Sequence, residues 1–294
     1  MTGPAAGRAA SWDALLAGAG LPRLDARALL EHASGRRRSW LIAHGDEPAE
    51  PAAAAAFEAL AARRRAGEPL AYLVGVREFH GRPFRVGPDV LVPRPETEGL
   101  VQAALARLPP PGTRPRVLDL GTGSGAIAIT LALERPDATV VATDRCTAAL
   151  AVARDNARRL GAGSVAFRTG SWWDALPAGE ARFHAVVSNP PYVADADPHL
   201  LDAALRHEPR QALAAGPLGL DAIDPIVAGA SHWLAAGGWL LLEHGHDQGA
   251  AVRGRLATAG FEAIGTLADL QGLDRVSLGR RPHAPSFDGP GAPP

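Results

Sequence analysis

Asn189 is followed by Pro190, Pro191 and Tyr192, directly behind the apolar pair Val186 and Val187. Each proline pushes the residue before it into an extended backbone, and neither carries an N–H. The segment therefore offers acceptors without matching donors: the Asn189 side-chain oxygen and the Pro190 carbonyl. A planar group with two N–H bonds, a primary amide or an exocyclic amine, suits such a pair. Tyr192 is placed to lie against its flat face. Asn189, Pro190, Pro191 and Tyr192 are thus the expected substrate clamp, with Asn189, Pro190 and Tyr192 at the reacting centre. A stiff turn that merely ends a strand is the alternative.

The second polar cluster is "DLGTGSG", with Asp119, Gly121, Gly123 and Gly125 at alternate positions. Glycines let the backbone turn sharply and let a ligand approach closely. A helix that follows supplies free N–H groups at its start. Two cofactors compete for this loop. Gly123-Ser-Gly125-Ala-Ile-Ala128 fits loosely the glycine fingerprint of dinucleotide sites. The register that begins at Asp119 resembles the loop of S-adenosylmethionine (SAM) methyltransferases, whose acid ahead of the glycines sits near the methionine end. A carboxylate there would repel a pyrophosphate and attract a cationic amino group. Asp119, Gly121, Thr122, Gly123, Ser124 and Gly125 are therefore the expected cofactor loop. Asp144 ends the next apolar run and is expected to accept hydrogen bonds from both ribose hydroxyls.

Together the two clusters describe methyl transfer to an amide-type nitrogen. Holding both hydrogens aims the nitrogen lone pair and stabilises the positive charge that builds on it. Binding beside a sulfonium supplies in-line geometry. No general base need act first, so no catalytic His or Cys is expected near Asn189. No lysine follows the glycine loop, which excludes a P-loop. His244 and His246 in "EHGH" look like half a metal site. Without a nearby Cys pair or a third ligand spacing they read as structural or surface histidines, and no metal is expected.

The elements that must position these residues fall into four stretches. Residues 1–75 read as a small helical bundle. Its segments are "SWDALLAGAGL" with Ser11 as N-cap, "RLDARALLEHASG" closing at Gly35, and the Ala-rich "PAAAAAFEALAARRRAGEP". The Arg63-Arg64-Arg65 run reads as a solvated face. Residues 76–93 alternate in short runs broken by Gly-Arg-Pro and Gly-Pro-Asp, which suggests a linking β-hairpin. Residues 94–280 open with a helix from Gly99 to Leu108 and then alternate strand and helix. Strands are expected at 116–120, 139–144, "SVAFRT", "HAVVSN" and "GWLLLEHG". Helices are expected at 124–134, 147–161, "LDAIDPIVAGASHWLAAGG" and "GAAVRGRLATAG". "FEAIGTLADL" and "DRVSLGR" are the closing strands. This alternation implies an α/β fold, a parallel sheet with helices on both faces. Residues 281–294 are rich in Pro and Gly and are expected to be disordered.

Composition narrows the function classes. Of 294 residues, 47% are hydrophobic and 21% charged, which fits an ordinary globular protein. The net charge of -1 shows no basic excess, so no direct nucleic-acid partner is expected. Every basic side chain is Arg, a compositional bias. The single cysteine, Cys146, excludes an internal disulfide and fits a reducing compartment. The N-terminus lacks the apolar core of a signal peptide, and no apolar run approaches a membrane span. A cytoplasmic protein without membrane association is expected.

At the level of whole segments the chain resembles the protein-(glutamine-N5) methyltransferases of peptide chain release factors, the HemK or PrmC family. "GEPLAYLVGVREFHG", "LVPRPETE", "LDLGTGSGAIAI", "VVSNPPY", "HEPRQALAAGPLGLDAI", "LLEHG" and "DRVSLGR" carry the resemblance, up to about residue 280. It implies a SAM-dependent, Rossmann-like domain with a seven-stranded, mostly parallel sheet, and an N-terminal helical domain that docks the release factor. It implies SAM on Gly121 to Gly125 and Asp144, S-adenosylhomocysteine as product, and a monomeric enzyme. Asn189 to Tyr192 would hold the glutamine of the Gly-Gly-Gln loop, with Asn189 also near the cofactor. Trp172, in "GSWWDAL", matches a tryptophan near the adenine. The family often has an acid just before it, where this chain has Ser171, and the neighbouring Trp173 competes for the role. Three other activities compete with this one. One is methylation of a ribosomal-protein glutamine, which "RLDARALLEHASGRRRSWLIAHGDEP" disfavours. The others are amino-methylation of nucleic acid, which the charge balance disfavours, and nicotinamide chemistry, which gives Asn-Pro-Pro-Tyr no role. A binding module that kept the fold without activity was the fourth reading.

Overall fold

Helix punctuation sets the N-terminal elements. In the computed structural model, which describes residues 10–283, the Ser11 hydroxyl accepts from the Ala14 N–H at 3.2 Å and opens α1 (Trp12–Gly18). Helix α2 (Arg23–Ser34) ends on Gly35 in the left-handed region. Then follow α3 (Arg38–Ala43), α4 (Pro51–Arg65), which starts on its proline, and α5 (Leu70–Val74). Trp12, Leu29, Leu30 and Phe57 are fully buried among them. The sequence periodicity shows three of these helices. The other two, α3 and α5, have six and five residues, too short to show a period. Residues 201–207 complete this unit. Gly67 is why they fit: a side chain there would place its Cβ 2.6 Å from that of Ala203.

The three arginines lie on an exposed to half-exposed face, as expected, and each also has a partner there. Arg63 pairs with Glu68 at 2.6 Å and Arg64 with Asp25 at 2.7 Å, while Arg65 donates to the Ala19 carbonyl at 2.6 Å. Helix α4 ends one turn short of Glu68, so its last residues can reach back to neighbouring chain.

Among the described residues the second unit comprises 77–200 and 208–283. Strands β1 (Val76–Phe79) and β2 (Arg82–Arg85) form the expected hairpin, turned by His80 and Gly81, both at positive φ. Phe79 and Phe84 are buried in the same core as the sheet, so the hairpin packs as part of this unit. After α6 (Thr97–Leu105) come β3 (Arg116–Leu120), α7 (Ala126–Glu134), β4 (Thr139–Asp144), α8 (Thr147–Leu160), β5 (Ala166–Thr169) and β6 (Phe183–Ser188). The chain closes with α9 (Ile223–Trp233), β7 (Leu234–Glu243), α10 (Gly249–Thr258), β8 (Glu262–Ala268) and β9 (Asp274–Arg280). Helix α9 stops earlier than the apolar pattern suggests, and "LAAGG" already belongs to β7. Gly237 at positive φ accommodates the irregularity in the β6–β7 pairing.

The sheet order is β5-β4-β3-β6-β7-β9-β8, with β9 antiparallel to its neighbours. Alternation sorts each strand. Val117, Ala185 and Val187 face α6, α7 and α8, while Leu118, Leu120 and Val186 face α9 and α10. The chain reverses direction of travel across the sheet between β3 and β6. In open α/β sheets that switch point, at the carboxyl ends of the strands, is where ligands bind. Of the tail expected to be disordered, residues 284–294 lie outside the described residues. So do residues 1–9, which enter the reading of the N-terminus.

Asn156 on α8 ties the hairpin to the loop after β3. Fully buried, it accepts from the Arg85 N–H at 2.7 Å and donates to the carbonyls of Arg85 and Ser124 at 3.0 and 2.9 Å. Replacement by alanine leaves three backbone groups without their partner. Asn156→Ala should therefore lower stability by about 1–3 kcal/mol. Urea denaturation reads this, and an unchanged midpoint would show that water replaces the tie.

Candidate active site at the switch point

A cavity of about 390 Å³ opens where β3, β4 and β6 end. Its size is that of a small-ligand site. Register brings the strands level: Leu120 lies beside Thr143 on one side and Ser188 on the other. The next residues of the three chains, Gly121, Asp144 and Asn189, all line the cavity.

The loop after β3 turns through three left-handed glycines, Gly121, Gly123 and Gly125. The N–H groups of Gly121 and Thr122 both donate to the Thr143 carbonyl at 2.9 Å, which folds the loop over the end of β4. At Gly125 any Cβ would meet Ile129 at 2.7 Å and Ala153 at 3.2 Å. Asp144 fastens the loop from the other side. Its Oδ2 accepts from the Gly123 N–H at 2.9 Å and its Oδ1 from the Cys146 N–H at 2.8 Å. Each oxygen retains a lone pair, so a neighbouring diol can still be held.

Asp119 is elsewhere than the sequence reading put it. It is not on the cavity wall but fully buried behind the loop, because odd-numbered positions of β3 face α7. Its Oδ2 accepts from the Thr122 hydroxyl at 2.6 Å, and its Oδ1 is buried without a hydrogen-bond partner. Burial pushes its carboxyl up to about 7. A buried, half-satisfied acid behind a glycine loop favours a positively charged ligand group in front of it. That fits the cationic methionyl end of the expected cofactor.

Trp172 and Trp173 part company. Trp172 lines the cavity, with its indole within 3.4 Å of where a Gly121 Cβ would be. Its φ of 47° is rare for a large side chain, and such strain gathers at functional sites. Trp173 turns away to donate to the Pro225 carbonyl at 2.9 Å and stack on Trp233.

In the Asn-Pro-Pro-Tyr segment, Asn189 and Pro191 line the cavity while Pro190 is buried. The Asn189 amide nitrogen donates to the Thr97 hydroxyl at 3.1 Å, which leaves its oxygen as the free acceptor. Tyr192 does not lie along the cavity as expected. Its hydroxyl donates to Glu243 Oε1 at 3.3 Å, and its carbonyl accepts from Gln248 Nε2 at 3.0 Å. With both ends anchored, Tyr192 braces the Asn-Pro-Pro-Tyr segment from behind. His244 is also structural, bonded to Ser277 at 2.8 Å. Among the described residues no group of His, Cys, Asp and Glu is arranged to hold a metal.

Four contributors were not picked out from sequence: Thr97, Arg94, Glu208 and Glu243. The buried Glu208 accepts from the Val92 N–H at 3.0 Å and pairs with Arg94, fixing a strip of chain whose Leu91, Pro93 and Arg94 line the cavity. Glu243, at the end of β7, is fully buried and its acid is pushed up to about 7, first by that burial. The signal for Glu243 was present: an acid closing an apolar strand.

Comparison with known proteins places this geometry. The PrmC N-terminal domain family matches residues 10–75 and the methyltransferase small domain family matches residues 101–220. A release factor glutamine methyltransferase of Bordetella pertussis is 53% identical, over 90% of this chain and 97% of that one. One of Burkholderia pseudomallei is 54% identical, over 91% of this chain and 95% of that one. Among solved structures, a methyltransferase from Pyrococcus furiosus shares the fold, with a TM-score of 0.52 and 18% identity. It covers 75% of this chain and 97% of that one.

Asp119 and Glu243 generate a pH dependence. Their ordinary values are 3.8 and 4.5, and both are raised to about 7 in the fold. Between these limits the native state holds more protons than the unfolded chain, so stability falls as pH rises. The ligand-free protein should lose melting temperature from about pH 5 to about pH 7.5 relative to Asp119→Asn, which lacks one of the two titrations. Parallel pH profiles for the two proteins would refute this.

Proposed function

The chain belongs to the release factor glutamine methyltransferases, and from that membership we propose which residues hold cofactor and substrate. The enzyme methylates the side-chain amide nitrogen of a release-factor glutamine. S-adenosylmethionine is its cofactor and, when bound, supplies an electrophilic methyl group on a sulfonium. The substrate glutamine is that of the Gly-Gly-Gln loop, whose methylation tunes translation termination.

In this reading Asp144 accepts from the ribose hydroxyls, and its two anchored oxygens keep it correctly turned. Trp172 flanks the adenine. The loop from Gly121 to Gly125, with Thr122 and Ser124, encloses the methionyl end, and Asp119 compensates its positive charge through the loop. Asn189 Oδ1 and the Pro190 carbonyl take the two amide hydrogens of the glutamine. They aim the nitrogen lone pair and stabilise the charge that builds on nitrogen. Pro191 shapes the entrance, and Tyr192 anchors the segment from behind.

The observation that carries the proposal is the Asn189–Thr97 hydrogen bond, which leaves an acceptor on the wall shared with the glycine loop. The match of residues 10–75 to the PrmC N-terminal domain supports a release factor over a ribosomal protein as substrate. It also supports release-factor docking by the helical unit. The balanced charge supports a protein partner without direct nucleic-acid contact. Among the described residues no helix is long and apolar enough to cross a membrane. A monomer acting in the cytoplasm completes the proposal.

Incubation with SAM and a release factor should add one methyl group to the Gly-Gly-Gln peptide, read by mass spectrometry, and none to its Gln→Ala form. Methylation elsewhere on the factor would overturn the assignment. Asn189→Ala should lose ~100-fold or more in turnover, as when one preorganised polar contact is removed. Near-normal methylation by that variant would remove the clamp from the mechanism. SAM should raise the melting temperature by mass action on the folded state, and NAD should not.

A further inference from the structure

An ion pair on the cavity wall belongs neither to the amide clamp nor to the glycine loop. The Glu208 side chain is only 1% exposed, whereas that of Arg94 is 33% exposed and lines the cavity. Both Glu208 oxygens are committed to one strip of chain. Oε2 accepts from the Val92 N–H at 3.0 Å and Oε1 from Arg94 Nη2. A buried pair of this kind contributes little net stability, because desolvation offsets the attraction. What it secures is orientation. A guanidinium carries five N–H donors in a rigid fork, and Glu208 takes one of them. The other Arg94 donors make no hydrogen bond among the described residues.

Hydrogen bonds place Arg94 at one end of the cavity. Its carbonyl accepts from the Thr97 N–H at 3.2 Å, so the two residues share the turn that opens α6. Thr97 in turn accepts from Asn189, the residue after β6. Strands β6 and β4 flank β3 on opposite sides, so Asp144 at the end of β4 stands across the glycine loop from Asn189. Among the described residues the other cation on the cavity wall is Arg145. It follows Asp144 and donates to Gln211 Oε1 at 3.4 Å. Arg94 is thus the cation at the Asn189 end.

We propose that Arg94 receives the α-carboxylate at the methionyl end of S-adenosylmethionine, and that Glu208 is the positioning residue that turns the guanidinium towards it. That end of the cofactor carries a sulfonium, an ammonium and a carboxylate. Asp119, behind the loop, offsets the positive groups, so the carboxylate calls for N–H donors from another side. With the ribose on Asp144 and the methyl directed at Asn189, the amino-acid end lies on the β6 side of the loop, where Arg94 stands. Arginine meets a carboxylate with two parallel N–H bonds. Its planar fork can serve Glu208 along one edge and the ligand along another, which the point charge of a lysine cannot reproduce. The inference rests on the reading that the cavity takes the cofactor in this direction, and the experiment separates the two.

S-adenosylhomocysteine and its decarboxylated analogue, which keeps the amino group, are titrated into the full chain by calorimetry without release factor. Wild type should bind the analogue about 10- to 100-fold more weakly, the scale of one hydrogen bond to a charged group. Arg94→Met should lose a similar factor for S-adenosylhomocysteine and nothing further for the analogue, so that the two ligands become nearly equal. Arg94→Lys should recover only part of the difference. Glu208→Gln should narrow it part of the way, because the amide still accepts from Val92 but no longer sets a charge against Arg94. A variant that merely loosened the fold would weaken both ligands alike and keep the wild-type ratio. That ratio in Arg94→Met would overturn the proposal, as would a wild type that does not distinguish the two ligands. Unchanged S-adenosylhomocysteine affinity in Arg94→Met with a raised KM for the release factor would give the guanidinium to a substrate carbonyl and overturn it as well. A wild type that binds neither ligand would refute the cofactor reading itself and the proposal with it.

Discussion

Level strand ends are the constraint on which everything else depends. The inner strands of a sheet satisfy their own backbone along their length, so away from the sheet's two edges free polar groups appear only where the strands stop. Leu120, Thr143 and Ser188 lie side by side in register. One residue beyond them the chain can spend its unpaired groups on a ligand. Slipping one strand by a single residue would reverse its faces and carry its terminal side chain away from the other two. The glycine loop, Asp144 and Asn189 therefore form one site because apolar side chains on both faces lock the strands together. The hydrophobic effect fixes the register, and the register assembles the chemistry.

Two acids mark the ends of this assembly, Asp119 on β3 and Glu243 on β7. Both are fully buried, and each has one oxygen without a close hydrogen-bond partner among the described residues. Such groups cost free energy in an isolated fold. Low dielectric also makes them respond strongly to any charge or dipole placed nearby. The first stands behind the glycine loop and the second behind the Asn-Pro-Pro-Tyr segment, so each of these two stretches of the cavity wall is backed by a buried acid.

The fold was legible in the sequence wherever the signal was local. Strand and helix alternated with the right periods, and Ser11, Gly35 and the glycines after β3 marked their turns correctly. Asp144 and Asn189 were legible as residues of the cavity wall because each sits where a strand pattern ends. What stayed hidden was made by contacts between distant residues. Asn189 meets Thr97 across 92 positions, Tyr192 meets Glu243 across 51, and Glu208 meets Val92 across 116. No pattern in the chain encodes such pairings. The electrostatics of Asp119 can be read from its place ahead of the glycines, whereas its side is set by strand alternation, which turns it away from the cavity. Tyr192 illustrates the same limit, since a ring that could stack on a substrate found a buried acid first.

The helical unit draws on two separated pieces of chain, residues up to 76 and residues 201–207. The chain must therefore cross between units three times. A single cut in the gene cannot release this unit whole, because the short second piece, with Ala203 seated against Gly67, would stay behind with the rest. Modules that evolution shuffles freely have both ends at one boundary. This one takes its short second piece from the middle of the other unit's sequence, so excising it intact requires cuts at three places in the chain.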